Sequence, residues 1–334
     1  TFRTSPRSLR TGRTHHSSDW NFIGKYILKC YSLRDEGGRR RIVYSKIMTI
    51  YTGSGVAIVT PFFEDGSVDY ETFGELIEFQ ISEGTDAIIV AGTTGESSTM
   101  PDDEQVAVIK FAIDRVAGRV PVIAGSGVND TAHQEIEKLG PDALLVVTPY
   151  YIKTSQQGLI EHFEAIANSV DLPIVLYNVP GRTGQVMAPE TILHLSQHKN
   201  IVAYKDAVGD IAHTLAVRNL VGEKIDIYSG NDDINVPIIL AGGKGTISVL
   251  ANVYPKATHL MCKYALERQV DKAFALQLKY LDFIHMLFAE PNPMPVKKCV
   301  ELIGKSACYY RLPMTHVAPT LATRLEQEIA RLNS

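Results

Sequence analysis

Short runs of apolar residues alternate along the chain with stretches of helical periodicity. Each run has six to eight residues and is almost continuously apolar, without strict alternation between apolar and polar positions. Runs of this kind are typical of strands that are covered on both faces, as in a parallel sheet. Eight such runs occur, at 55–60, 86–92, 120–125, 142–149, 173–180, 201–207, 225–230 and 245–252.

Amphipathic helices are predicted between these runs. Phe73, Leu76, Ile77 and Ile81 recur at helical spacing, and Pro101 opens a second helix whose first turn is acidic. Eight strand–helix units in about 200 residues predict a (β/α)8 TIM barrel, for which about 250 residues are typical. A doubly wound sheet is the alternative, but no GxGxxG sequence follows the first run.

Beyond the eighth run the pattern becomes wholly helical. We therefore expect the barrel to occupy residues 48–269, and additional helices to follow it in a C-terminal region at residues 270–334. The helical patterns lie near 254–269, 271–288, 295–306 and 320–333.

The first 47 residues differ in composition from the rest of the chain. They hold eleven Lys or Arg and three Asp or Glu, a net charge of +8, whereas residues 48–334 carry −12. A segment rich in Arg, Ser and Thr and poor in acids has the composition of an organelle transit peptide. The other interpretation is an extension upstream of a start at Met48. In either case we expect residues 1–47 to be disordered or non-native and to lie outside the barrel.

Composition narrows the functional classes. The 334 residues are 45% hydrophobic and 21% charged, as in an ordinary soluble protein, and no long apolar window predicts a membrane span. The net charge of −4 gives no reason to expect nucleic acid or a membrane surface as a partner. Cysteines without a CxxC pair and histidines without ligand spacing indicate neither a disulfide framework nor a metal cofactor. We expect a cytoplasmic protein, or a plastid one if the N-terminal segment is a transit peptide.

Candidate chemistry lies at the carboxyl ends of the predicted strands, where the active sites of such barrels are found. GTTGES (92–97) follows the second strand, TPYY (148–151) the fourth and YNVPGRTG (177–184) the fifth, and Lys205 lies on the sixth. Alternate residues of a strand share a face, and neighbouring strands are about 4.8 Å apart. Lys205 and Tyr177 are therefore predicted to meet inside the barrel mouth.

Lys205 is the first candidate for a catalytic group. Burial among apolar neighbours disfavours the ammonium form and leaves a nucleophilic amine that can form a Schiff base. The structural alternative is a lysine that pairs with Asp206 or reaches solvent at the end of the strand. The strand by itself leaves both interpretations open.

These motifs, together with SGND (229–232) and AEPNPMPVK (289–297), resemble those of the dihydrodipicolinate synthase family of pyruvate-dependent class I aldolases. The resemblance runs from about Met48 to the C-terminus, in the order of the family's motifs and at nearly their spacing. It implies an enzyme without metal or organic cofactor that condenses pyruvate with L-aspartate-4-semialdehyde in lysine and diaminopimelate biosynthesis. It also implies a homotetramer built as a pair of dimers.

The same resemblance assigns catalytic roles to four residues. Lys205 would form the imine with the pyruvate ketone, and Tyr177 would carry protons to and from that imine. Thr93 and Tyr151 would complete a hydrogen-bonded relay towards solvent. Tyr151 would be donated to this relay across a subunit interface.

Substrate binding is assigned in the same way. Thr94, with backbone N–H groups of its loop, would hold the pyruvate carboxylate, and Arg182 would bind the carboxylate of the semialdehyde. Ile247 would place a backbone carbonyl near the active lysine.

Other functions within and outside the superfamily stay open. N-acetylneuraminate lyase and the 2-keto-3-deoxy sugar acid aldolases are the nearest alternatives, but a bidentate guanidinium at Arg182 suits a second carboxylate better than a chain of hydroxyls. The non-enzymatic alternative is a barrel retained as a binding or regulatory module. Such a chain would be expected to have lost Lys205 or Tyr177, and both are present.

The chain departs from the family between the third and fourth strands, where residues 126–141 leave a helix of only about ten residues. This departure affects a second expectation, because many family members are inhibited by lysine at a dimer interface. His133 stands where sensitive members commonly have a carboxylate, so we expect weak or absent inhibition. The residues that align with that site are Ser97, Ser98, Asp102, Gln105, Asn129, His133 and Tyr150.

Overall fold

The computed structural model describes residues 21–23, 26–34, 40–46, 49–126 and 134–334. The chain divides into two compact units, Thr1–Met48 and Thr49–Ser334. Within the first unit, three strands form an antiparallel sheet in sequence order, a feature that the sequence pattern did not predict. These strands are Asn21–Ile23, Tyr26–Arg34 and Arg40–Lys46.

Eight parallel strands close into a barrel in the second unit, which confirms the predicted TIM barrel. Each strand pairs with the next one in sequence, and the eighth pairs with the first through Ile247 and Gly55. The barrel strands are Gly53–Ala57, Ala87–Val90, Val122–Gly125, Ala143–Val147, Ile174–Asn178, Ile201–Asp206, Asp226–Ser229 and Gly245–Ser248.

Helices follow the strands on the outside of the barrel. Several begin at a polar residue that caps the first turn: Asp69 accepts a hydrogen bond from Thr72 N, and Ser155 accepts one from Gly158 N. The barrel helices are Tyr70–Ser82, Asp102–Val116, Gln134–Lys138, Gln156–Ser169, Pro180–Thr183, Pro189–Leu195, Ile211–Val221, Asn235–Leu240 and Pro255–Leu266. Short 3-10 turns lie at Ser97–Thr99, Asp232–Ile234 and Leu250–Asn252.

The alternation of side chains along each strand separates two apolar cores. On the fourth strand, Ala143 and Leu145 belong to the core inside the barrel, whereas Leu144 and Val146 belong to the core between barrel and helices. This double burial is why the strand reads as a continuous apolar run. Opposite the mouth, the rings of Tyr51 and Tyr228 stack at 4.4 Å inside the barrel.

Three more helices follow the last barrel helix and belong to the same compact unit as the barrel. They are Val270–Leu287, Met294–Leu302 and Pro319–Asn333. The segment between the first two reaches the carboxyl ends of the strands, where Phe288 and Asn292 line a cavity. Across the part of the chain described, no helix has the length and apolar character needed to cross a membrane.

Between the third and fourth strands, the described residues contain the helix Gln134–Lys138. Residues 127–133 lie outside the described residues, and they include Asn129 and His133 of the predicted lysine site.

Candidate active site

Lys205 and Tyr177 meet inside the barrel mouth. Their Cα atoms are paired in the register of the fifth and sixth strands, so both side chains point to the same side. Lys205 Nζ lies 4.0 Å from the centroid of the Tyr177 ring. Lys205 is 6% exposed and Tyr177 is 7% exposed, so both are buried at the floor of the cavity.

The surroundings of Lys205 favour its neutral amine. Burial lowers the pKa of Lys205 to about 7; the negative charge of Asp232 opposes this shift, and the positive charge of Arg182 adds to it. Asp206, the carboxylate expected under the structural alternative, accepts hydrogen bonds instead from Thr214 Oγ1 at 2.7 Å and Val208 N at 3.1 Å. Within the described ranges, no ion pair with Lys205 is found.

Tyr177 is held as a protonated phenol. Burial raises its pKa, while the charge of Arg182 and a hydrogen bond with the Thr93 side chain act in the opposite direction. The hydroxyl of Tyr177 is therefore connected to Thr93, the residue that the sequence predicts as the next member of a relay. A phenol with such a partner can donate a proton and recover it.

Thr94 and Arg182 are joined through a residue from the C-terminal helical region. Asn292 Nδ2 donates a hydrogen bond to Thr94 Oγ1 at 2.9 Å, and Arg182 Nη2 donates one to the backbone oxygen of Asn292 at 3.1 Å. Thr94 is buried, whereas Arg182 is exposed at the cavity wall. The two groups predicted to bind carboxylates thus lie at different depths.

A cavity of about 800 Å³ contains these groups at the mouth of the barrel. Its volume is in the range of small-molecule sites, which are commonly 300–1,000 Å³. Six of the seven predicted site residues line it: Thr93, Thr94, Tyr177, Arg182, Lys205 and Ile247.

Tyr151 is the predicted residue that the structure does not bring into the cavity. It is 93% exposed and has a φ of +68°, a conformation that non-glycine residues rarely adopt. A second cavity of about 180 Å³ lies beside the first and shares Thr93 and Tyr177 with it. Ser97, Ser98 and Tyr150 of the predicted lysine site also line this smaller cavity.

Asp232 and Asn292 also line the cavity, although the sequence did not predict a role for either residue. Asp232 is buried and accepts hydrogen bonds from the backbone N–H groups of Val249 and Leu250, which fixes the turn after the eighth strand. Both residues lie in motifs that carry the family resemblance, SGND and AEPNPMPVK. Their position in those motifs was the available signal, but nothing local showed where their side chains would point.

Comparison with known proteins agrees with this geometry. Residues 51–332 match the Dihydrodipicolinate synthetase family. The 4-hydroxy-tetrahydrodipicolinate synthase of Caldicellulosiruptor bescii is 52% identical over 273 residues, which cover 80% of this chain and 92% of that protein.

Solved structures give the same result. The chloride-inhibited dihydrodipicolinate synthase of Acinetobacter baumannii, in complex with pyruvate, is 40% identical with a TM-score of 0.84, covering 85% of this chain and 99% of the other. A structure described as the first monomeric dihydrodipicolinate synthase variant is 37% identical with a TM-score of 0.83, covering 85% and 97%. The chain belongs to the dihydrodipicolinate synthetase family.

Proposed function

We propose that the chain is a lyase of the class I aldolase type, a 4-hydroxy-tetrahydrodipicolinate synthase that condenses pyruvate with L-aspartate-4-semialdehyde. The observation that carries this proposal is the buried Lys205 amine against the Tyr177 ring, with a pKa of about 7. A neutral amine in a cavity is the nucleophile that a Schiff-base enzyme requires. The names of the family's curated members favour this reaction over the sugar acid aldolases.

The first half of the reaction uses Lys205 and Tyr177. The Lys205 amine adds to the pyruvate ketone, and the resulting carbinolamine loses water to give a protonated imine. Tyr177 donates the proton that the departing hydroxide needs, and Thr93 stabilises the transient phenolate through its hydrogen bond. The Tyr177 phenolate then takes a methyl proton from the imine, which gives an enamine and restores the phenol.

The second half joins the two substrates. The enamine carbon attacks the aldehyde, and the aldehyde oxygen takes up a proton. The amine of the semialdehyde then attacks the imine carbon, which closes the ring and releases Lys205 as the free amine. Lys205 is therefore recovered, and each step moves a proton close to the Tyr177 hydroxyl.

Substrate selection rests on two sites of different depth. Thr94 is buried and lines the same cavity as Lys205, which suits the short pyruvate carboxylate. Arg182 lies at the exposed wall, where its guanidinium can bind a second carboxylate in bidentate fashion. A sugar acid would offer hydroxyls to Arg182, which are poorer partners for a guanidinium. Ile247 lines the cavity, and its backbone carbonyl is proposed to face the active lysine.

Tyr151 is proposed to act in a neighbouring subunit, within a homotetramer built as a pair of dimers. Its exposed ring lies outside its own cavity, while Thr93 and Tyr177 border the smaller cavity of about 180 Å³. A tyrosine supplied to that cavity by a partner subunit would extend the relay from Tyr177 through Thr93. We propose the cytoplasm as the location, with the plastid as the alternative if residues 1–47 are a transit peptide.

Trapping of the imine tests the proposal. Borohydride added with pyruvate should leave one covalent adduct per chain, located by mass spectrometry on Lys205. Lys205→Met should form no adduct, and acetate in place of pyruvate should give none with the unaltered chain. An unaltered chain without an adduct would rule out the class I aldolase mechanism and leave the binding module as the explanation of the barrel.

A further inference from the structure

A buried ion pair lies behind the loop that would hold the pyruvate carboxylate. Lys297 Nζ lies 2.8 Å from Glu96 Oε1, and both side chains are only 2% exposed. Glu96 follows Thr94 by two residues at the end of the GTTGES loop, whereas Lys297 lies on the helix Met294–Leu302. The pair therefore connects the C-terminal helical region to the loop over 201 positions of sequence.

The loop consists of two overlapping hydrogen-bonded turns that connect Glu96 to Thr93. Glu96 N donates a hydrogen bond to Thr93 O, and Gly95 N donates one to Gly92 O, both at 3.1 Å. These overlapping turns make the positions of Thr93 and Thr94 depend on where Glu96 is held. Thr60 Oγ1 fixes the back of the loop through a 2.8 Å hydrogen bond to Gly95 O.

Glu96 adopts a conformation that its own backbone disfavours. Its φ is +56°, in the left-handed region where non-glycine residues are uncommon and strained. Such strain persists where the surroundings fix the residue. Here Lys297 holds one carboxylate oxygen of Glu96 at 2.8 Å, while Arg311 N donates a longer hydrogen bond of 3.4 Å to the other. Thr99 N also donates a hydrogen bond to the Glu96 backbone oxygen at 3.0 Å. The Lys297 ammonium lies 4.3 Å from the Phe62 ring centroid.

The pair by itself is weak support for stability. Removing two charges from water carries a large cost, and apolar residues of similar volume often replace a buried ion pair without loss of stability. A role in placing the loop accounts for the pair better. The same segment also holds the loop through the hydrogen bond from Asn292 Nδ2 to Thr94 Oγ1, five residues before Lys297.

We propose that Glu96 and Lys297 are positioning residues of the pyruvate site, which hold the GTTGES loop in the shape that binds the carboxylate. This inference rests on the proposed function, because it takes the loop as the carboxylate site. Neither side chain lines the cavity or touches the Lys205 amine among the contacts of the described residues. Their effect is therefore exerted through Thr93 and Thr94.

The test compares pyruvate affinity with the other kinetic constants. In Lys297→Met, the pyruvate concentration that gives half-maximal borohydride trapping on Lys205 should rise about 10-fold or more, because a displacement of about 1 Å can cost up to about 100-fold. At saturating pyruvate the adduct should still form completely, and KM for the semialdehyde should change by less than about threefold. A merely structural role would not separate these constants.

Two further variants make the result decisive. Glu96→Gln/Lys297→Met removes both charges, so it leaves no unpaired buried ion and should fold even if Lys297→Met does not. It should show the same weakened trapping. Lys298→Met is the matched control, because Lys298 is the next residue of the helix and pairs with Glu301 at the surface; its half-maximal concentration should stay within about twofold of the unaltered chain.

The positioning role is overturned if either variant, Lys297→Met or Glu96→Gln/Lys297→Met, folds and reaches half-maximal trapping at a pyruvate concentration within about threefold of that of the unaltered chain. The proposed function would not be affected by that result. An equal loss in the Lys298→Met control overturns the positioning role as well, since the effect would then come from the helix in general. An unaltered chain that forms no adduct overturns the proposed function and this inference together.

Discussion

The nucleophilicity of Lys205 should depend on pH about a midpoint near 7. An ordinary lysine has a pKa of about 10.4, whereas burial lowers the pKa of Lys205 to about 7. The difference corresponds to about 5 kcal/mol against the charged form, at about 1.36 kcal/mol for each tenfold change. At pH 7 about half of the Lys205 amines are then neutral, compared with about one in 2,500 for an ordinary lysine.

Burial in the cavity is the larger cause of this shift. The amine lies against the Tyr177 ring, in a cavity whose walls include the apolar side chains of Leu145 and Ile247. Arg182 adds to the shift, while Asp232 opposes it. A variant that keeps the Tyr177 ring should therefore keep the titration midpoint of Lys205, even if it removes the Tyr177 hydroxyl.

Competitive acetylation measures this midpoint directly. The chain and a reference lysine peptide would be labelled with trace acetic anhydride between pH 5.5 and 9, and the labelled Lys205 peptide quantified by mass spectrometry. Lys205 labelling should rise through pH 7 and level off above about pH 8, as its neutral fraction saturates. Pyruvate should suppress the labelling, because it occupies the same amine.

The matched control is Tyr177→Phe, which retains the ring and removes the hydroxyl. Its midpoint should stay near 7, while its activity falls with the loss of the proton donor. If Lys205 labelling rises tenfold per pH unit up to pH 9, in parallel with the reference peptide, then burial does not lower the pKa of Lys205.

Four more outcomes are expected. Arg182→Ala should lower kcat/KM for the semialdehyde by about 10- to 150-fold, the equivalent of about 1.5–3 kcal/mol, with pyruvate trapping nearly unchanged; steady-state kinetics that show equal losses for both substrates would contradict the assignment. Dilution should abolish activity as the oligomer dissociates, with the oligomeric state measured by sedimentation. A fully active monomer would contradict the role of Tyr151 in a partner subunit. L-lysine should inhibit weakly or not at all near neutral pH, and inhibition at submillimolar lysine would show that a group other than His133 supplies the missing charge. Burial raises the pKa of Asp226 to about 6, above an unfolded value of about 3.9, so the stability from its neutral form is full only below about pH 3.9 and is lost as pH rises through 6. Asp226→Asn should therefore lose about 2 kcal/mol less stability than the unaltered chain between pH 4 and 8 in urea unfolding, and equal losses would contradict the shift.

The barrel could be predicted because its signals are local. The fourth predicted run, 142–149, contains the strand Ala143–Val147, and both of its faces are buried. The runs extend past the strands at their carboxyl ends, because apolar loop residues such as Val179 also pack against the inner core. The proximity of Lys205 to Tyr177 could also be expected from side-chain alternation on neighbouring strands, and the register of the fifth and sixth strands pairs the two residues.

The contacts that shape the site depend on segments far apart in sequence. Asn292 reaches Thr94 across 198 positions, and no local pattern indicates that its amide would lie there. The antiparallel sheet of residues 21–46 was also not predicted, although residues 26–34 are rich in aromatic and aliphatic residues. The role proposed for Tyr151 shows a further limit, because a residue that acted in another subunit would have its partners outside its own chain.

The protonation state of Lys205 also depends on segments far apart in sequence. An apolar strand predicts that the side chain is buried, but burial alone would also fit a lysine paired with a carboxylate. The structure separates the two cases. The Asp206 carboxylate accepts hydrogen bonds from Thr214 Oγ1 and Val208 N, and the Asp232 charge affects the pKa of Lys205 by electrostatic attraction without a hydrogen bond between them among the described contacts. Asp232 is in turn held by the N–H groups of Val249 and Leu250 after the eighth strand. The pKa of the Lys205 amine therefore depends on groups from several strands of the closed barrel, and this is why it could not be read from the sixth strand.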